Sequence, residues 1–194
     1  MQTAVSRSTT ALLTADADVA ERVISDDADV DAAREKIEAR CFELLALQQP
    51  VASDLRMLVA ALRMVGELER MGDLSVHVAK VARLRVPSIA IPDELVPTIE
   101  RMAEVAEKMV GQAAGIIADR DVEGAYALEE SDEEMDALRS SCFRMMLDDS
   151  WAHGVEAAVD IALLGRYYER IADHAVSIAR RVVFLVTGEH PQYV

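Results

Sequence analysis

The sequence predicts an all-α protein made of two tandem three-helix bundles. Three observations carry that reading. Breakers are scarce: 5 Pro and 8 Gly stand among 194 residues, against long stretches rich in Ala, Val, Leu, Met, Glu and Arg. That composition favours helix. Next, one stretch occurs twice. Glu69-Arg70-Met71-Gly72-Asp73 and Glu169-Arg170-Ile171-Ala172-Asp173 stand 100 positions apart, and Val76 and Ala79 recur in register as Val176 and Ala179. A fixed internal offset sets the architecture before any local detail. Finally, the clearest linker, residues 86–92, is bracketed by Pro87 and Pro92 and falls between the two copies. The expected units are 1–86 and 93–188.

Each element has its own signal. Residues 4–15 read as the end of a helix. Asp16 and Asp18 are cap-type residues, and a long second helix follows to about Gln48. Its apolar seats are Val19, Val23, Val30, Ile37, Cys41, Leu44 and Leu45. Gln49-Pro50 ends it, because proline disfavours a helical residue before it. Pro50 then suits the first turn of a third helix, running to about Arg85. Asp93 is expected to cap a fourth helix to about Ala118, and Asp121 a fifth to about Leu147. A turn near Asp148–His153 leads into a sixth, which Thr187-Gly188 closes. The tail 189–194 reads as loose. The first helix is much shorter than its counterpart, the fourth. It therefore reads as truncated, and the apolar surface left uncovered on the first bundle invites self-association, with a homodimer as the expected form.

Charge and composition narrow the function. The net charge of −15 argues against nucleic acid, which needs clustered Lys and Arg. It disfavours anionic lipid and suits a cation or a basic protein surface. Cys41 and Cys142 sit inside helical patterns and read as small buried hydrophobes, not as a disulfide framework. No apolar run approaches the roughly 18 residues of a membrane span, and residues 1–15 lack the pattern of a signal peptide. The expected address is the cytoplasm.

The repeated stretch places two carboxylates four residues apart on one helical face. Like charges at that spacing weaken a bare helix by a few tenths of a kcal/mol. A bound cation removes that cost. Each half also carries a second acidic pair, Asp27/Asp31 and Asp132/Asp136, with Arg34 and Arg139 following at the same distance. Asp31 and Glu69 lie 18 and 20 residues from the turn at Gln49, and Asp27 and Asp73 lie 22 and 24. A mismatch of two residues is only about 3 Å of rise. Asp136 with Glu169, and Asp132 with Asp173, are matched similarly across the turn near 150–152. Four carboxylates are therefore expected at one level in each hairpin. Hard cations such as Mg, Mn or Fe use such oxygen clusters. His77 continues the Glu69–Asp73 row and is a candidate fifth ligand; Ser177 takes its place in the other half. Glu169 is expected at the edge of the core, facing a groove. His174 points about 100° away from Asp173 and is left outside the site. Arg70 and Arg170 read as balancing the local acids, with phosphate or partner contact as the alternative. Met57, Met64, Met71, Met145 and Met146 read as core. The bland alternative for all the acids is a solvated shoulder paired with nearby arginines.

Glu-Arg-Met-Gly-Asp and Glu-Arg-Ile-Ala-Asp resemble the two Glu/Asp-x-x-x-Asp signatures of the PhoU family. Leu47-Gln48-Gln49-Pro50-Val51-Ala52-Ser53-Asp54-Leu55-Arg56 is similar to that family's opening of the third helix, and Thr187-Gly188-Glu189 to its ending. The departures are Ala172, where the family usually has Gly, and the short first helix. The resemblance implies metal clusters bound by the carboxylate motifs of each bundle. It also implies a phosphate-signalling regulator without catalysis. Such a regulator connects the ATPase of a phosphate ABC transporter to a sensor histidine kinase, and holds phosphate-starvation genes off when phosphate is plentiful. Two rivals stand beside it. A di-metal oxidase of ferritin-like type needs Glu-x-x-His on two helices, and the sequence contains none. A metal-free helical adaptor is the other.

Overall fold

The computed structural model describes residues 1–189, with Glu130 described by its backbone alone. Of the tail expected to be loose, 189–194, residues 190–194 lie outside the described residues. Six α-helices follow one another: α1 Gln2–Thr14, α2 Ala17–Gln48, α3 Ala52–Arg85, α4 Val96–Asp119, α5 Val122–Met146 and α6 Gly154–Thr187. Among the described residues there is no strand, as the composition led us to expect.

Local chemistry sets most of the boundaries. The Asp16 carboxylate accepts from the backbone N–H groups of Asp18 and Val19 and so starts α2. Asp121 accepts from Gly124 N–H at 2.9 Å and starts α5. Each such cap contributes about 1 kcal/mol. Gly188, at φ 79°, ends α6 in the left-handed conformation that glycine tolerates best. Two expectations need correction. Pro50 precedes the cap residue Val51 and is not in the first turn of α3. Asp93 opens a 3-10 turn, Asp93–Leu95, and does not cap α4. Pro97 has no N–H to give and fits only a first turn, which sets the α-helical start at Val96.

The helices form two similar units, α1–α3 and α4–α6, joined by residues 86–92. Helices α3 and α6 lie side by side and antiparallel. Glu67 meets His174, His77 meets Tyr167, and Arg85 meets Asp160, so one number falls as the other rises. Helix α1 packs on α2, α3 and α4. Tyr168 is fully buried, and its hydroxyl lies 2.8 Å from that of Thr9, which ties α6 to α1. The buried apolar side chains therefore make one continuous core through both units, from Leu12 and Met71 to Met102, Leu128 and Ile171. At about 25 cal/mol per Å² of buried apolar surface, this shared core is the main force holding the units together.

Helix α1 has 13 residues and α4 has 24. The start of α1 rests near Val30 and Gly72, where Met1 lines a small hollow with both. Among the described residues no third helix covers the α2–α3 hairpin beyond that level. Phe42, Leu47, Val51 and Leu55 are exposed there. Ile37 and Met57, expected in the core, are exposed for the same reason, while Val23, Cys41, Met64 and Met71 are buried. The uncovered apolar surface anticipated for the first bundle is present.

Candidate functional site: two carboxylate clusters flanked by arginines

The first cluster lies between α2 and α3. Asp27 and Asp31 come from one helix, Glu69 and Asp73 from the other. Their fields overlap. The Asp27 carboxyl is raised above its ordinary range by burial first, then by Asp73, Asp31 and Glu69. Gly72 makes room for this. A Cβ at that position would stand 3.0 Å from Asp27 Oδ1, so the absent side chain lets Asp27 lie close against α3. Arg70 sits 3.6 Å from Glu69 and 3.5 Å from Asp73, in loose and exposed contacts.

The second cluster lies between α5 and α6. The Asp132 carboxyl is pushed up to about 6, by burial first, then by Asp173 and Asp136, against a partial offset from Arg180. Glu169 adds to the same field. Contrary to expectation, Glu169 does not face an open groove. It is 8% exposed, and both its oxygens are taken. Arg139 donates to one at 3.2 Å and Arg166 donates to the other. Its neighbours on the small-residue stripe, Gly165, Ala172 and Val176, are buried too, because α4 and α5 close over that face.

The matched heights thus bring four carboxylates into one field in each half. They do not close on a coordination point: among the described residues, no three His, Cys, Asp or Glu side chains converge closely enough to hold a metal. The donor set itself fits a hard cation. It is all carboxylate oxygen, neighbouring carboxylates raise Asp27 in one half and Asp132 in the other, and the bare backbone at Gly72 lets Asp27 lie against α3. His77 is engaged elsewhere. Its ring stacks on Tyr167, 5.2 Å between centroids, on the α3–α6 side.

His174, set aside in the sequence, has a structural place. It is buried between the units, and its Nδ1 lies 2.6 Å from a Glu67 oxygen. That bond, more than anything else, holds the Glu67 carboxyl below its usual range. The available signal was its 100° offset from Asp173, which turns it toward α3. Asp160, also missed, is buried and receives a two-pronged contact from Arg85, with Nε to Oδ2 at 2.6 Å and Nη2 to Oδ1 at 3.1 Å.

A six-helix protein of two three-helix units, each with a carboxylate cluster flanked by arginines, is a helical repeat protein by its architecture. Comparison with known proteins narrows the class. The family described as PhoU domain matches residues 1–82 and 99–182. The Phosphate-specific transport system accessory protein PhoU homolog 2 of Mycobacterium tuberculosis is 46% identical over 188 residues, covering 97% of this chain and 88% of that one. The crystal structure of PhoU from Pseudomonas aeruginosa superposes with a TM-score of 0.85 at 27% identity, covering 97% of this chain and 90% of that one. The phosphate transport system regulatory protein PhoU from Streptococcus pneumoniae gives 0.87 at 25% identity, covering 99% and 90%. The chain belongs to the PhoU family.

Proposed function

We propose that this chain is an accessory regulator of phosphate uptake. It works in the cytoplasm at the ATPase subunit of a phosphate ABC transporter. It couples that transporter to a membrane sensor histidine kinase, as a negative regulator of the phosphate-starvation response. It acts by binding and not by catalysis. The observation that carries this is the family match itself. Both acid–arginine motifs fall inside the two matched segments, and a relative 46% identical over 97% of this chain is named as an accessory protein of a phosphate-specific transport system. Among the described residues no helix is long and apolar enough to cross a membrane, which suits a partner that docks on a transporter.

In the same reading the clusters hold Mg, Mn or Fe. Asp27, Asp31, Glu69 and Asp73 are the ligands in one half, and Asp132, Asp136, Glu169 and Asp173 in the other. His77 joins the first set only by leaving Tyr167. A bound cation supplies charge neutralisation and stiffens the helix pair. The exposed apolar end of the α2–α3 hairpin is the surface for a homodimer. One observation favours a metal-free adaptor instead: Arg139 and Arg166 already neutralise Glu169. Elemental analysis of protein purified without chelator separates the two.

The regulatory reading is tested by affinity capture from membranes of cells grown with abundant or scarce phosphate, using the full chain. The transporter ATPase and the kinase are expected to co-purify when phosphate is abundant. Capture of neither under both conditions refutes the assignment.

A further inference from the structure

The two halves repeat their acids but not the cations around them. Helix α3 has Gly66 where α6 has Arg166, at the offset that aligns Glu69 with Glu169. Helix α2 has Glu38 where α5 has Phe143, at the offset that aligns Asp27 with Asp132. These two differences redirect three guanidinium groups. In the first half, Arg34 bonds both oxygens of Glu38 at 3.3 Å, and among the described residues no ion pair joins it to Glu69. In the second, its counterpart Arg139 finds only the ring of Phe143, 5.3 Å from the centroid, and reaches across to Glu169. Arg166 takes the other oxygen of Glu169, while open space surrounds Gly66 in the first half. Among the described residues Glu69 keeps only the 3.6 Å ion pair with Arg70, which is mostly exposed.

We propose that the two clusters are not equivalent: the first takes up a hard cation, while in the second the guanidinium pair of Arg139 and Arg166 stands in the cation's place. This rests on the metal reading given above and revises it, keeping the cation in the first cluster and withdrawing it from the second. A cation entering the second cluster must break two charge-assisted bonds to a buried carboxylate. These are among the stronger hydrogen bonds in proteins. It must also leave two guanidinium groups beside its own charge. A cation entering the first cluster displaces only a long, solvated contact of the kind that contributes little. Position 72 adds to the difference. Gly72 admits Asp27 against α3, whereas the matching position in α6 is Ala172, which carries a methyl.

The test is titration of the chelator-treated full chain with Mn(II), reading free ion by electron paramagnetic resonance. Wild type is expected to show one tight class. Glu69→Gln is expected to weaken that class by about tenfold or more, equivalent to about 1.4 kcal/mol. Phe143→Glu/Arg166→Gly, which gives the second half the side chains of the first, is expected to add a second tight class. Circular dichroism checks that this variant folds. If it does not, Arg166→Ala alone removes one of the two guanidinium groups from Glu169 and is expected to bring a second class into range. Two equal classes in wild type, one of them lost in Glu69→Gln, overturn the inequality and leave the metal reading standing. No Mn(II) uptake by wild type overturns both.

Discussion

Replacing Asp132 by Asn removes a carboxylate that the fold forces to ionise among like charges. The direction of its effect follows from the proton balance. In the unfolded chain this carboxyl loses its proton near 3.8, and in the folded protein near 6. Between those values the folded state holds more protons, so stability falls as pH rises and the loss is complete above about pH 6. A shift from 3.8 to about 6 corresponds to about 3 kcal/mol. Asp132 is only half-buried and salt screens its neighbours, so we expect roughly half of that, about 1–2 kcal/mol. For a chain of this size each kcal/mol moves the melting temperature by roughly 2–4 °C. The assay is thermal melting in EDTA from pH 4.5 to 8. Wild type should lose stability across the lower part of that range. Asp132→Asn should be flatter and should melt higher than wild type at pH 7.5. A variant that melts lower than wild type at pH 7.5 in EDTA, with the same pH slope, refutes the electrostatic account of the cluster.

Further predictions concern the seam between units and the first cluster. Thr9 donates to the Val5 carbonyl at 2.9 Å, so Tyr168 is the donor in its bond to Thr9. Thr9→Val strands a buried phenol and should cost about 1–3 kcal/mol, whereas Tyr168→Phe should cost about 1 kcal/mol; urea unfolding of both variants checks the order. Glu67 is held below its usual range by His174, so its stabilisation is present above pH 4.5 and fades as pH falls through its folded value. Glu67→Gln should therefore lose part of the acid sensitivity of the melt below that pH. Gly72→Ala places a methyl 3.0 Å from Asp27 Oδ1. It should weaken Mn(II) uptake at the first cluster while melting within a few degrees of wild type, because Ala favours the helix by about 1 kcal/mol and offsets the crowding.

Helix number, helix order and the shared level of the acids were legible because they depend on spacing along one helix or across one short turn. The fate of Glu169 was not. Its stripe of small residues suggested a groove, but small residues also let neighbouring helices close in, and here they do. Arg166 and Phe143 were visible in the sequence as breaks in the repeat. Their effect on Glu169 depends on which way two long side chains turn, and spacing cannot give that. His174 and Asp160 belong to contacts between α6 and α3, whose partners stand more than 70 positions apart. The exposure of Ile37 likewise follows from the reach of α1, not from the pattern of α2.

The core that runs unbroken through both units bears on how such a chain could have arisen. A single three-helix unit cut from it would leave the inner faces of its first and third helices open to water. A half-length chain of this kind would need a second copy of itself, pairing two identical third helices where α3 and α6 run antiparallel. Joining the halves in one chain would let each vary separately, so that one glutamate carries an arginine pair and its twin does not. Residues 93–188 expressed alone should accordingly sediment as a dimer or larger. A stable monomer of that fragment would contradict this history.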